Sequence, residues 1–476
     1  MNYIRATVIF LVIILFSLKS IEKDTPNVIV FFVDDLGWTD VGIYGSDLYQ
    51  SPNIDALADE GILFTNSYSA CTVCSPTRAS VLTGKYPARL QLTDWIEGHK
   101  YPWAKLKVPS WKMYLDSSEY TVAEAFKDAG YRTAHFGKWH LGESQQNWPI
   151  YHGFDTNIGG WKKGAPNLNK NEGFNGYFSP YGNPRLSDGP EGEHLTERLT
   201  NEICTFLDEV DKKPFFINFW LYNVHTPLQA DKAKIDKFSA LIDDTTRHNN
   251  PTYAAMIEHT DDALGKIIQK LKKEGLYDNT IILFSSDNGG LIGNNPKKRV
   301  TNNTPLRLGK GHIYEGGVRI PTIIKIPQSE YKGLTISTPI ISTDYYPTLV
   351  DLAGISSEKT NAQTLDGNSL VRLFECEDTL KREALFWHYP HYHQQGGVPY
   401  SAVRKGNWKL IQNFDSNSYE LYDLKNDIGE KENLYEKRAE IALNLKETLD
   451  NWRDDVAAQL PTINENYNPK KKWKKQ

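Results

Sequence analysis

Asn27–Val33 (NVIVFFV) is apolar and β-rich from its second residue onward, and it stops at a pair of acids, Asp34-Asp35. A run with no polar alternation suits a strand buried on both faces. Such strands lie inside parallel sheets covered by helices on either side. Residues 280–284 repeat the pattern, and Ser285-Ser286-Asp287-Asn288-Gly289-Gly290 follows. Ligands in open α/β sheets gather at the carboxyl ends of strands. Both polar sequences are therefore candidate site segments, although acids after a strand also serve as caps and turns.

Strand and helix patterns alternate along the chain. Ser51-Pro52-Asn53-Ile54-Asp55 starts a helix with Leu57, Ala58 and Ile62 on its inner face. Residues 122–129 predict a helix stopped by Gly130, 131–136 a strand, 196–210 an amphipathic helix and 215–221 a strand. Residues 251–274 carry strong helical periodicity through Tyr253, Met256, Ile257, Leu264, Ile267 and Leu271. This alternation predicts an α/β fold, a doubly wound mixed sheet flanked by helices, over 24–370. After residue 370 the texture changes. Strand candidates at 385–389, 400–404, 408–412 and 419–423 precede a helix at 439–456, predicting a smaller C-terminal subdomain (371–476) of antiparallel strands plus a helix. The Gly/Asn/Pro-rich stretch 160–190 reads as a long pocket-shaping loop. The lysine-rich end, 470–476, reads as a solvated tail.

The N-terminus reads as a signal peptide over 1–20. Arg5 is its positive residue, 6–18 its apolar run, and Ser20 a small residue at the cleavage region. The run is too short to span a bilayer comfortably, so export to the periplasm or medium is expected, with no membrane span after cleavage. Removing 1–20 takes away Arg5 and Lys19, leaving 52 basic residues against 59 acidic and moving the net charge from −5 to −7. No nucleic-acid partner is expected, and any polyanion must be held by a local basic pocket. Four cysteines (Cys71, Cys74, Cys204, Cys376) exclude a dense disulfide framework.

Cys71 and Cys74 form C-x-x-C, open to three ordinary readings: a redox pair, half a zinc site, or buried structural thiols. No second Cys/His pair follows at zinc-site spacing, and Pro76 argues against a redox helix start. The longer string Cys74-Ser75-Pro76-Thr77-Arg78-Ala79-Ser80-Val81-Leu82-Thr83-Gly84 resembles the signature C-x-P-[S/T]-R-x-x-x-L-T-G of formylglycine-dependent (type I, arylsulfatase-like) sulfatases. Gly130 to Gly142, containing Gly137-Lys138-Trp139-His140-Leu141-Gly142, is similar to that family's second signature. So are Phe215-Phe216 with His225-Thr226-Pro227, and Asn303-Thr304-Pro305-Leu306-Arg307 with Lys310 and Glu315-Gly316-Gly317-Val318-Arg319-Ile320-Pro321. The likeness runs in order from about 27 to 434, with Thr77 at the position where serine is commoner.

The resemblance implies an alkaline-phosphatase-like fold and hydrolysis of sulfate monoesters. Cys74 would be oxidised by a formylglycine-generating maturase to 3-oxoalanine, whose hydrate attacks sulfur. One Ca²⁺ would be held by Asp34, Asp35, Asp287, Asn288 and the Cys74-derived oxygen. The oxygen-rich ligands suit a hard cation, and neither strand-end motif contains histidine, which disfavours zinc. Lys138 and Lys310 would hold sulfate oxygens. His225 would serve the leaving alcohol, and His140 would take the proton when the sulfated intermediate collapses. Arg78 would prop the nucleophile through a hydroxyl of the hydrate or a metal-ligand carboxylate, while Glu315, Gly316 and Arg319 would be scaffolding.

The segment FWHYPHYH places His388, His391 and His393 close together. A substrate-side loop is expected there, with His388 and His391 as candidate substrate contacts against the alternative of an ordinary exposed loop. Trp161 and Lys162-Lys163 are further candidates. A sulfated carbohydrate, of algal polysaccharide or glycosaminoglycan type, is the expected substrate. The rivals are a phosphate or phosphonate monoester hydrolase of the same superfamily, a non-catalytic polyanion-binding relative, and a redox C-x-x-C protein.

Overall fold

The computed structural model describes residues 25–169, 174–210, 213–293, 295, 299–327, 330–375 and 380–471. The expected signal sequence, Cys376 and residues 472–476 lie outside these. Eight strands build the large sheet: β1 (Asn27–Val33), β2 (Ile62–Phe64), β3 (Arg132–Gly137), β4 (Thr156–Ile158), β5 (Phe215–Trp220), β6 (Thr280–Ser286), β7 (Thr322–Lys325) and β8 (Leu334–Ile336). Across the sheet they run β8-β2-β7-β6-β1-β5-β3-β4. Only β7 is antiparallel to its neighbours, so the sheet is mixed but nearly all parallel.

The unbroken apolar run of β1 is explained by its central place. Ile29, Phe31 and Val33 enter the core on one face, and Val28, Val30 and Phe32 enter the core on the other. Helices α1 (Pro52–Glu60), α4 (Leu195–Asp208) and α5 (Pro251–Lys273) cover the first face. Helices α2 (Cys74–Thr83), α3 (Val122–Asp128) and α6 (Tyr345–Leu352) cover the second. The expected helices and strands occur within a residue or two of their sequence bounds, as end fraying allows. Ile62 is an exception. The helix ends before Gly61, and Ile62 begins β2 instead of extending the helix face.

A four-stranded antiparallel meander follows: β9 (Leu385–Tyr389), β10 (Tyr400–Lys405), β11 (Trp408–Asn413) and β12 (Ser418–Asp423). Helix α7 (Ala439–Asp455) covers it. Its core is continuous with Tyr68, Tyr86, Ile313 and Tyr314 from the earlier part of the chain. The stretch 160–190 is packed more tightly than an open loop. It contains a short pairing of Leu168–Asn169 with Phe174–Asn175, and Trp161, Phe174, Tyr177 and Tyr181 are buried against the main core.

Candidate active site

β1 and β6 are in-register parallel neighbours, with Val33 opposite Ser286. The residues just past both ends therefore meet. Asp34, Asp35, Asp287 and Asn288 are all buried. The Asp35 amide donates to Asp287 Oδ1 (3.1 Å), and Asn288 Nδ2 donates to Asp35 Oδ1 (2.9 Å). β3 lies two strands away and delivers Lys138, whose Nζ is 2.6 Å from Asp34 Oδ2. Lys310, from the segment before β7, places Nζ 2.6 Å from Asp35 Oδ1. Burial alone would raise the Asp35 pKa, but Lys310, His225 and Lys138 outweigh it and hold this carboxyl far below its ordinary range. Burial dominates at Asp34, whose pKa is raised. At Lys310 burial opposes the charge, but Asp35 and neighbouring groups push its pKa up.

Cys74 is the first residue of α2, a helix with every side chain buried. Such burial on all sides explains the mixture of small and apolar residues in the signature. Pro76 falls in the first turn, where its missing N–H breaks no helix bond. Cys74 thus does open a helix, contrary to the inference drawn from Pro76. Cys71 and Cys74 are both free thiols, and burial pushes Cys71 up to about 12. Cys204 is also unpaired.

Arg78, one turn along α2, donates from Nε to Asp287 Oδ2 (2.9 Å) and packs over Phe32 and Trp220. Of the two expected partners of Arg78, the one in contact is a carboxylate, Asp287. Three cations (Arg78, Lys138, Lys310) face three carboxylates, so the cluster is close to neutral.

His140 Nε2 donates to the Ile96 carbonyl. This bond fixes the tautomer and leaves Nδ1 facing Cys74 Sγ at 3.4 Å. Burial, reinforced by Lys138, holds the His140 pKa well down, so Nδ1 is a proton acceptor. His225 is fixed in the same way: Nδ1 donates to Thr226 O (2.7 Å), and Nε2 faces Asp35 Oδ2 at 3.7 Å. Burial and Lys310 depress its pKa to about 3, against the pull of Asp35.

The donor set fits a hard divalent cation. Asp34 Oδ1, Asp35 Oδ2 and Asn288 Oδ1 are buried and lack hydrogen-bond partners. Orphaned buried oxygens are costly unless something satisfies them. Ligand atoms of Asp34, Asp35 and His225 also lie within 4.8 Å of one another. The strand-end motifs lack histidine, as their sequence shows, but the fold brings one to their edge.

The sequence-derived residues Asp34, Asp35, Cys74, Arg78, Lys138, His140, His225, Asp287, Asn288 and Lys310 thus form one cluster. His388 and His391 are placed elsewhere. His388 is buried with Nδ1 against Ser401 Oγ (2.7 Å) and Nε2 donating to Gln459 O (2.9 Å), so both nitrogens are used internally. His391 is buried against Trp111 and bonds Thr93 Oγ1 (2.8 Å). Burial and internal bonding correct the expectation that these two contact substrate. The third histidine, His393, approaches the site, packing against Gly311 beside Lys310. Trp161 is buried behind His140 and accepts that residue's amide proton through its carbonyl. Lys162 pairs with Glu143.

Sequence reasoning passed over residues 93–103, which wall the site. Asp94 is buried, accepts Tyr389 OH (2.9 Å), and burial lifts its pKa to about 8. Trp95 leans on His140, with ring centroids 6.3 Å apart. The interleaving of aromatic and basic residues in His99-Lys100-Tyr101-Pro102-Trp103 was the available signal.

The sulfatase family profile matches residues 26–355, and a profile described as "N-sulphoglucosamine sulphohydrolase, C-terminal" matches 308–455. A protein named sulfatase from Formosa agariphila is 31% identical over 91% of this chain and 90% of its own length. N-acetylgalactosamine-6-sulfatase of Homo sapiens is 30% identical over 73% of this chain, a match spanning 65% of that protein. The solved structure of Ps i-CgsB in complex with k-i-k-neocarrahexaose superposes with a TM-score of 0.75 at 29% identity, covering 91% of this chain and 94% of that one. A phosphonate monoester hydrolase of Agrobacterium radiobacter shares the fold at 21% identity and a TM-score of 0.65. The chain belongs to the sulfatase family, whose members are sulfuric ester hydrolases.

Proposed function

We propose that this protein removes sulfate from sulfated glycans, using an oxidised Cys74 and one Ca²⁺ ion. One observation carries the proposal: Cys74, His140, Lys138 and Lys310 converge on an acidic cluster with three orphaned buried oxygens. When present, the hydrated aldehyde derived from Cys74 supplies an oxygen nucleophile, and Ca²⁺ supplies positive charge for the sulfuryl oxygens. Asp34, Asp35, Asp287, Asn288 and an oxygen on residue 74 would hold the ion.

The remaining work belongs to the chain's own side chains. Lys138 and Lys310, both buried, bind sulfate oxygens and stabilise the charge that builds on them in the transition state. His140 Nδ1 is aimed at residue 74 and accepts its hydroxyl proton. His225 keeps Nε2 toward the cluster; a proton taken up there from solvent as the anionic ester binds is donated to the departing alcohol oxygen. Arg78 holds Asp287 in place.

The carbohydrate names of the relatives support a glycan substrate. The apolar run at 6–18 supports export to the periplasm or medium. Among the described residues no helix is long and apolar enough to cross a membrane.

The test has two arms. Peptide mass analysis after co-expression with a formylglycine-generating maturase should show the thiol-to-aldehyde change on the Cys74 peptide. Sulfate release is then measured over defined sulfated oligosaccharides, with phosphate and phosphonate monoesters alongside. Faster phosphoryl turnover with an unmodified Cys74 would overturn the proposal in favour of the phosphatase-like rival. Tight glycan binding without turnover would point to a non-catalytic polyanion binder.

A further inference from the structure

Beside the cluster, residues drawn from the 99–113 stretch, together with Asn464 and Asn466, line a groove of about 530 Å³. Its size falls within the roughly 300–1,000 Å³ common for small-ligand sites. We propose that this groove is a second sugar subsite, which binds a neighbouring anionic residue of the glycan whose sulfate ester occupies the active site. The proposal rests on the glycan reading above and adds to it a location and a charge requirement.

Continuity with the active site is the first support. A run of ring contacts leads from one to the other. The His140 ring, next to Cys74, faces Trp95; Trp95 Nε1 donates to His99 Nδ1 (3.2 Å); His99 stacks on Tyr101 at 5.6 Å. His99 also meets His393 edge-on at 5.4 Å, and His393 packs against Gly311, next to Lys310. His99 and Tyr101 both line the groove. The groove and the sulfate site are thus separated by a short run of packed rings, close enough for neighbouring residues of one glycan.

Surface chemistry is the second support. Tyr101 and Trp111 give the wall flat apolar faces, and the exposed Asn466 adds an amide group. Rings that pair an apolar face with a polar edge suit sugars, which have both kinds of surface. Lys100 and Lys107 also line the groove and are exposed. Neither forms an ion pair with a carboxylate among the described residues, and no carboxylate among them lines the groove. Lys471 lies nearby, over the Trp103 ring. This is a local positive patch on a chain of net charge −5. Unpaired cations in a concave wall focus potential and select for anions. A neutral sugar would need the aromatic wall alone; an anionic one uses both features.

The groove also joins two distant parts of the chain. Leu106–Lys107 pair with Thr462–Ile463 as antiparallel strands, and Asn464 Nδ2 donates to Pro102 O (2.9 Å) and Ala104 O (2.6 Å). The wall is therefore held in place before any ligand arrives, which lowers the ordering cost of binding.

The experiment uses the full chain, with ι-carrageenan and chondroitin 6-sulfate tetrasaccharides, their desulfated counterparts and 4-nitrophenyl sulfate as probes. Affinity is read by titration calorimetry at low and high salt, and kcat/KM by sulfate release. At least one sulfated tetrasaccharide should bind the unmutated protein, more weakly as salt rises. The double variant Lys100→Ala/Lys107→Ala should bind it about tenfold less tightly, with an unchanged melting temperature because both lysines are exposed. Tyr101→Ala should weaken it by a similar factor. For both variants the ratio of kcat/KM on the tetrasaccharide to that on 4-nitrophenyl sulfate should fall. Wild-type affinity in both variants, absence of tetrasaccharide binding to the unmutated protein, or equal losses on the two substrates would each overturn the subsite. Failure of the unmutated protein to release sulfate from any probe would count against the sulfatase proposal itself. Lysine-dependent tetrasaccharide binding would still support the subsite in that case.

Discussion

Asp35 and His140 both adopt left-handed backbone conformations, with φ of 61° and 60°. Such a conformation costs a non-glycine residue on the order of 1 kcal/mol. The surrounding strands and loops hold these residues there, and both side chains face the acidic cluster or Cys74. Residue by residue, the proposed chemistry makes separable demands. Cys74→Ala should reduce sulfate release by about a thousandfold or more while leaving the melting curve near that of the parent, because the side chain is small and its role chemical. Cys71→Ala should keep most activity, since Cys71 is a buried thiol off the reacting centre; equal losses at both positions would revive the paired-cysteine reading. His225→Ala should lose about 100- to 10,000-fold on sugar sulfates and distinctly less on 4-nitrophenyl sulfate, whose leaving group needs little protonation. Comparing kcat on the two substrates checks this, and equal losses would remove His225 from the leaving-group role.

Pairing of β1 with β6 brings two distant acidic motifs to one point. A one-residue slip in register would turn the side chains of one strand to the opposite face and break the cluster. Because both strands are apolar on both faces, register rests on the whole packed sheet and not on one pattern of alternation. The cluster so formed should bind Ca²⁺ as a folding ligand. A melting-temperature series should rise with Ca²⁺, by the equivalent of about 2.7 kcal/mol at a hundredfold excess over Kd. Chelator should lower both stability and activity, Ca²⁺ should restore them better than Zn²⁺, and Asp34→Asn should flatten the response. A larger response to Zn²⁺ would bring His225 forward as a ligand. At the end of β3, Gly137 has φ of 97°, and a Cβ there would sit 2.1 Å from the Trp220 carbonyl oxygen. Gly137→Ala should therefore cost about 2–4 kcal/mol in urea unfolding and displace Lys138 with it.

Between the large sheet and the C-terminal meander lies a buried ionic group. Lys409 Nζ is 2.9 Å from both Glu315 Oε1 and Glu430 Oε1, and Glu430 Oε2 accepts the Glu315 amide (2.7 Å). Arg319 Nη1 is 3.3 Å from Glu315 Oε2, and Tyr68 OH donates to the same oxygen. Two carboxylates compete for one ammonium, and their pKa values separate. At Glu315 burial is outweighed by Lys409 and Arg319, which hold it down to about 2; at Glu430 burial wins and raises it to about 7 from 4.5. A raised folded-state pKa means that the native state keeps a proton the unfolded chain loses. The stabilisation is complete below 4.5 and is lost as pH rises to about 7. Unfolding free energy should decline across that window through this group, and Glu430→Gln should flatten the decline. An identical pH profile in the variant would exclude Glu430 as its source.

Sequence alone determined the pieces whose physics is local. Unbroken apolar runs identified the central strands and helical periodicity identified α4 and α5, while Cys74, Arg78, Lys138 and His140 stood out through the resemblance of two short segments to sulfatase signatures. The acids after β1 and β6 were legible as a site because strand ends point to one edge of an open sheet. What chain order could not give was exposure. FWHYPHYH reads as a polar, accessible loop, yet the fold spends His388 and His391 on internal hydrogen bonds and leaves His393 by the site. Trp161 reads as a sugar platform and is core. The 93–103 wall was missed because no single residue in it has a diagnostic spacing; it becomes a surface only when His99 meets His393 and Leu106–Lys107 pair with Thr462–Ile463. Whether a polar or aromatic side chain faces substrate or the interior depends on which distant segment packs against it, and that is fixed by tertiary contacts rather than by local sequence.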